Sequence, residues 1–123
     1  MSVMVAHVMT NKVIFASPDH TVDHVRELMA SKRIHALPVA DMNSKVLGIV
    51  TSADVARRID GTREVRDVMN NTVHVVRATD PASEAATRMR QHRVHHLIVT
   101  DGGRAVGIVS AFDLLSVVAD ATK

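Results

Sequence analysis

Apolar residues recur along this chain in two rhythms. Spacings of three and four join Val22, Val25 and Met29, and again Ala82, Ala85, Ala86 and Met89. Each set therefore falls on one face of a helix. Denser apolar runs rich in Val and Ile read as strands. They are Val13-Ile14-Phe15 and Val73-His74-Val75-Val76, then Leu37–Ala40 with Val46–Val50, and Leu97–Thr100 with Ala105–Val109. Turn residues separate the paired runs, Asp41-Met42-Asn43-Ser44 in one case and Asp101-Gly102-Gly103 in the other. A last helix is expected from about Ser52 to Ile59 and from about Ala111 to Val118. Before the second long helix, Asp80 is expected to be the N-cap with Pro81 at the first helical position.

The pattern occurs twice. Residues 7–59 align with 67–118 once one residue is removed from a loop. Val8-Met9 matches Val68-Met69, Met29 matches Met89, and Arg33-Ile34-His35 matches Arg93-Val94-His95. Leu37, Val39 and Asp41 match Leu97, Val99 and Asp101; Gly48-Ile49-Val50 matches Gly107-Ile108-Val109, and Asp54 matches Asp113. The agreement is spread over the whole unit, which marks an internal repeat. The expected fold is α+β: two β-α-β-β-α repeats, 1–60 and 61–123, packed sheet to sheet about a pseudo-twofold axis. One repeat alone would bury too little apolar surface to be comfortable.

Composition narrows the function. Hydrophobic residues make up 46% of the 123, with Phe15 and Phe112 as the aromatic members. A net charge of +2 and no stacking platform argue against a nucleic-acid binder. The chain has no cysteine, so disulfides and thiol chemistry are excluded. No signal-like opening and no apolar run of membrane length are evident, and a cytoplasmic protein is expected.

The candidate chemistry sits where each closing strand meets its helix. Thr51-x-x-Asp54 and Ser110-x-x-Asp113 each set a hydroxyl and a carboxylate at a helix start, where free backbone N–H groups favour an anion. The hydroxyl can serve a phosphate and the carboxylate a sugar hydroxyl. The same residues also form an ordinary helix cap, and both roles can coexist. Gly48 and Gly107 mark a close approach, either to a ligand or to the sister repeat.

The ordered set of motifs resembles a tandem pair of CBS domains, a family named after cystathionine β-synthase. The resemblance rests on the Val-Met-Thr/Asn opening, the Arg-Ile/Val-His run before Leu37-Pro38-Val39, and the closing Gly-Ile-Val-Thr/Ser-x-x-Asp, in order in both repeats. It implies a regulatory module binding AMP, ADP or ATP, with S-adenosylmethionine or NAD as further candidates. It also implies a homodimer forming a disc of four repeats, acting on a regulated protein. Phosphate is then expected at Thr51 and Ser110 and ribose at Asp54 and Asp113. The adenine is expected against Val13, Ile14, Ala16 and Ile49, and against Val73, Val75 and Ile108. His35, His95 and His96 stand where basic residues often reach the phosphates. Many nucleotide-binding members carry Arg where this chain has His35 or His96. Ile98 replaces the usual proline, and Phe112 stands where the first repeat has Ala53, so the two clefts are expected to be unequal.

Other classes fare worse. His92, His95 and His96 are close in sequence, but a helix end followed by a strand would turn them apart, and no metal site is expected. No spacing assembles a nucleophile with its base, so no catalytic residue is expected. The chief alternative is a ligand-free dimerisation module, since the last helix carries Leu114, Leu115, Val117 and Val118 beyond what a small domain hides.

Overall fold

The computed structural model describes residues 3–121. Its elements follow the order α1 (Val22–Lys32), β1 (Ala36–Ala40), β2 (Val46–Thr51), α2 (Ser52–Ala56), β3 (Val75–Arg77), α3 (Ala82–His92), β4 (His96–Asp101), β5 (Arg104–Ser110) and α4 (Ala111–Ala121). Short 3-10 turns at Val5–His7 and Val65–Asp67 open the repeats. The architecture is α+β, and no helix among the described residues is long and apolar enough to cross a membrane.

The chain divides into two compact units, residues 14–73 and residues 1–13 with 74–123. Each unit thus joins the body of one repeat to the opening segment of the other. In the 14–73 unit, β1 and β2 form an antiparallel pair with Leu37 opposite Val50 and Val39 opposite Gly48. Asn70 continues that sheet, donating to Ile49 O at 2.8 Å while Ile49 N–H donates to Asn70 O at 3.0 Å. Val22, Val25, Met29, Leu37, Val39, Val50, Val55 and Val65 form its core. In the other unit β3 runs parallel to β4, and β4 antiparallel to β5. Thr10 flanks β5 through reciprocal bonds with Ile108 at 2.8 and 3.0 Å. Val5, Val76, Ala85, Met89, Leu97, Val99 and Val109 form its core.

Gly48 and Gly107 make these edges possible. A Cβ on Gly107 would lie 2.7 Å from Met9 Sδ and 2.8 Å from Thr10 O; one on Gly48 would lie 2.7 Å from Asn70 O and 2.9 Å from Met69 Sδ. The close approach is to the opening segment taken from the other repeat, which settles the choice left open by the sequence.

Local chemistry sets the element ends. Thr21 caps α1 by accepting from His24 N–H at 3.1 Å. Both long first helices end at an arginine in the left-handed region, Arg33 and Arg93, each with φ 55 and its N–H on the carbonyl four residues back. The β4–β5 hairpin turns on Gly102 and Gly103, at φ 59 and 80.

Three expectations are corrected. Val13-Ile14-Phe15 forms no strand; the segment touches the sheet through one parallel bridge, Ala16 to Val39. Pro81, not Asp80, is the N-cap of α3. Asp80 is buried instead, and its carboxylate takes the Arg77 N–H at 2.9 Å and pairs with the Arg77 guanidinium at 3.2 Å. These bonds spend the side chain on the turn rather than on the helix, and the Asp80 carbonyl separately receives Val5 N–H at 2.9 Å. Finally, α2 stops at Ala56, where Arg57 turns extended, whereas α4 continues to Ala121.

Four histidines form two ring pairs. His20 lies against His24 with centroids 4.2 Å apart, and His74 stacks on His92 at 3.9 Å. Burial lowers the His20 pKa, His24 lowers it further and Asp19 opposes the shift. Burial, then His92, lowers that of His74. His20 Nδ1 also accepts the Ser17 N–H at 2.9 Å, a bond lost if that nitrogen is protonated. Both imidazoles hold fewer protons folded than unfolded. Their contribution is complete above their ordinary value of 6.5 and is lost as pH falls through the lowered values. The melting temperature should therefore drop between about pH 7.5 and pH 5, and His20→Gln with His74→Gln should flatten that drop. A double variant as acid-sensitive as the parent would contradict this assignment.

Candidate functional site

The two strand-to-helix junctions hold the sequence's hydroxyl–acid pairs. In the 14–73 unit, Thr51 ends β2 and caps α2. Its N–H donates to Asp54 Oδ2 at 2.8 Å, and its hydroxyl donates to the same oxygen at 3.0 Å. In the other unit, Ser110 N–H donates to Asp113 Oδ2 at 2.8 Å, and Asp113 N–H donates to Ser110 Oγ at 2.9 Å. Both junctions are thus capping boxes, each built on Oδ2 with Oδ1 outside the box. The helix starts are further pinned to the chain before the middle strand: Ser52 N–H donates to His35 O and Ala111 N–H to His95 O, both at 2.8 Å.

The two junctions are not equal. In the first, the Thr51 proton is committed to Asp54. In the second, Ser110 takes part through its oxygen, so its proton can turn outward. With little more than one turn, α2 offers a weak dipole, whereas α4 spans 11 residues.

Around Ser110 and Asp113 the sheet gathers several expected residues. His96 is the register partner of Ser110 and is half-buried. Ile108 pairs with Ile98, which pairs in turn with Val75, and Val75 is 40% exposed. Around Thr51 and Asp54, Ile49 pairs with Pro38 in β1. Ala16 is buried on the other edge of β1, its N–H on Pro38 O at 2.9 Å, and Ile14 packs half-buried on the same core. Val13 and Val73 are half-buried at the two points where the chain passes between units.

The basic residues are dispersed. His35 is exposed just before β1. His95 is exposed as well, but it lines a groove between α3 and α4 rather than the face around Ser110. Among the described residues no group of three or more His, Asp or Glu is placed to hold a metal ion.

The α3–α4 groove encloses about 830 Å³. Ala82, Ala86, Met89, Leu114, Leu115 and Val118 line it, with Arg90, Arg93 and His95 as its basic members. The equivalent place on α1 and α2 is filled by Arg26. Its Nε donates to Val55 O at 2.9 Å, and its Nη2 donates to Arg57 O at 3.2 Å and Ile59 O at 3.3 Å. The signal was present in the repeat alignment, where Met29 against Met89 sets Arg26 against Ala86.

Comparison with known proteins completes the assignment. A family model for the CBS domain matches residues 5–61 and 65–120. The inosine-5′-monophosphate dehydrogenase of Methanocaldococcus jannaschii is 38% identical over 109 residues, 88% of this chain and 22% of that enzyme. The chain spans well under half the length of the curated relatives it matches, and the match is to the CBS region rather than to a catalytic domain. A CBS domain pair crystallised with 5′-methylthioadenosine and S-adenosyl-L-methionine superposes with a TM-score of 0.89 at 23% identity, covering 100% of both chains. CBSX2 in complex with AMP gives 0.81 at 23% identity, covering 98% of this chain and 99% of that one. At that identity both likenesses establish the fold. With its opening turn, its hairpin and its hydroxyl–acid helix start each present twice under one family model, the chain belongs to the CBS-domain family.

Proposed function

We propose that this chain is a non-enzymatic regulatory module that binds an adenosyl ligand at its strand-to-helix junctions. AMP, ADP or ATP is the first choice, with S-adenosylmethionine or NAD next. The observation that carries the reading is the pair of matched capping boxes: in each, Oδ2 of the aspartate holds the backbone and Oδ1 is left for a ribose hydroxyl. The second junction is the stronger of the two, because the Ser110 proton can meet a phosphate at the start of the longer helix. Thr51 and Asp54 offer the same groups with the hydroxyl already engaged. Ile14, Ala16, Ile49 and Val13 on one side, and Val73, Val75 and Ile108 on the other, supply apolar surface for an adenine. His96 is better placed than His35 or His95 to assist a phosphate. The ligands of the two structural relatives agree with this class. The repeats 1–60 and 61–123 work as one pair, within a cytoplasmic homodimer that acts on a separate partner.

The test is a melting-temperature screen against AMP, ADP, ATP, S-adenosylmethionine and NAD. A ligand at a hundred times its Kd stabilises the native state by about 2.7 kcal/mol, a shift of several degrees. Silence towards all five at millimolar concentration would sink the reading. A second reading, a ligand-free dimerisation module, is favoured by one observation: each hydroxyl–acid pair already serves as the cap of its own helix. Self-association together with thermal silence would select it.

A further inference from the structure

Two turns at equivalent places in the repeats share one backbone form and differ in what closes them. In the 14–73 unit, His20 N–H donates to Ser17 O at 3.0 Å, and Ser17 N–H donates to His20 Nδ1 at 2.9 Å. In the other unit, Asp80 N–H donates to Arg77 O at 3.0 Å, and Arg77 N–H donates to Asp80 Oδ2 at 2.9 Å. The repeat alignment sets Ser17 against Arg77 and His20 against Asp80. One turn is thus closed by an imidazole and the other by a carboxylate.

The two acceptors answer acid differently. The neutral His20 ring carries its proton on Nε2, since Nδ1 accepts. A second proton goes to Nδ1 and sets a donor against the Ser17 N–H. A carboxyl that takes a proton still keeps an accepting oxygen. The charges around His20 are largely engaged elsewhere. Asp19 on the turn is paired with Arg66, which also lies 3.5 Å from Glu64. On α1, the His24 ring is 4.2 Å from His20, and Asp23 is paired with Arg26 at 3.2 Å. Burial and His24 keep the closed ring neutral against the opposing pull of Asp19, so protons bind preferentially to the open turn.

The turn also carries a neighbouring segment. His20 O receives Val65 N–H at 2.8 Å, and Pro18 O receives Arg66 N–H at 3.2 Å. Val65 is fully buried, and further along Asn70 flanks β2 at Ile49, just before Thr51. In the other unit Asp80 O holds Val5 in the same way, and Thr10 flanks β5 at Ile108.

We propose that His20 is an acid-operated latch: protonation at Nδ1 releases the Ser17–His20 turn and, with it, the Val65–Asn70 segment that steadies the Thr51–Asp54 junction, while the carboxylate-closed turn keeps the Ser110–Asp113 junction shut. Acid then places two matched capping boxes in different states. The latch needs no ligand, so it stands apart from the function proposed above.

The experiment is amide hydrogen exchange by NMR on the full chain at about pH 7.5 and pH 5, corrected for intrinsic rates. His74, stacked on His92, is a second acid-sensitive imidazole and lies in the other unit, so every sample carries His74→Gln. Ser17, Val65 and Asn70 should lose protection roughly fivefold in acid, the scale of one hydrogen bond, while Arg77, Val5 and Thr10 keep theirs. The loss should follow the same titration as the nitrogen shift of His20 Nδ1. His20→Asp installs the other unit's closure, and His20→Asn an acceptor that does not titrate; each should abolish the acid response. An acid loss equal in both units, or persisting in both variants, overturns the latch. So does full protection at the lower pH, or a loss that titrates apart from Nδ1. A loss confined to Ser17 overturns the coupling to Val65 and Asn70.

Discussion

Gly107→Ala is expected to destabilise the protein by about 3 kcal/mol, the upper part of the range for overpacking a filled site. The added methyl meets Met9 Sδ at 2.7 Å, which can move, and Thr10 O at 2.8 Å, which cannot move without breaking its bond to Ile108 N–H. Gly48→Ala should behave alike, its firmest obstacle being Asn70 O at 2.7 Å. Chemical denaturation of each variant measures the effect. Adding Met9→Ala to Gly107→Ala separates the two obstacles. The double variant should recover little, because the backbone oxygen remains. Full recovery would mean that the thioether alone demanded glycine.

The second large effect is at Asp113. Asp113→Ala removes the carboxylate oxygen that receives Ser110 N–H, at a cost of about 1 kcal/mol for a lost cap. On the proposed function it also removes the ribose acceptor, and affinity for the best nucleotide should fall roughly 100-fold, the scale of charge-assisted bonds. Asp113→Asn keeps an acceptor for the cap and should separate the two, retaining stability while still weakening the ligand. Calorimetric titration reads affinity, and a melt reads the cap. An Asp113→Ala protein that binds like its parent would exclude this carboxylate from the site, and Asp54 should then be tested in its place.

Much of this was legible in the sequence because the repeat doubles each signal. The helix faces Val22, Val25, Met29 and Ala82, Ala85, Met89 are buried as their spacing predicts, while Ala86, expected on the same face, is half-buried. The hairpins formed at the expected runs, with their turns at Asp41–Ser44 and Asp101–Gly103. What escaped was tertiary. Nothing local reveals that Met9 and Thr10 flank a strand about a hundred residues away, so the glycines could be read only as marks of close approach. Val13-Ile14-Phe15 has strand composition, yet without a full partner it makes one bridge at Ala16. Asp80 looked like a cap because Pro follows it, but a nearer demand, the Arg77 turn, took its carboxylate. His95 was grouped with His96 by adjacency, whereas neighbours along an extended segment point to opposite faces, and His95 lines the helix groove.

The exchange of opening segments has a consequence for how the molecule is made. Residues 14–73 are continuous, so that body has everything it needs once the ribosome has released them. The other body must hold residues 1–13 in waiting until residues 74–121 emerge, and its closure spans nearly the whole chain. Such a distant closure is slow, because loop entropy must be lost before the contacts form. The Val5 and Met9 segment thus has no sheet partner until β5 has been made, and severing the chain near Asp60 would give two fragments that each lack an edge the other holds.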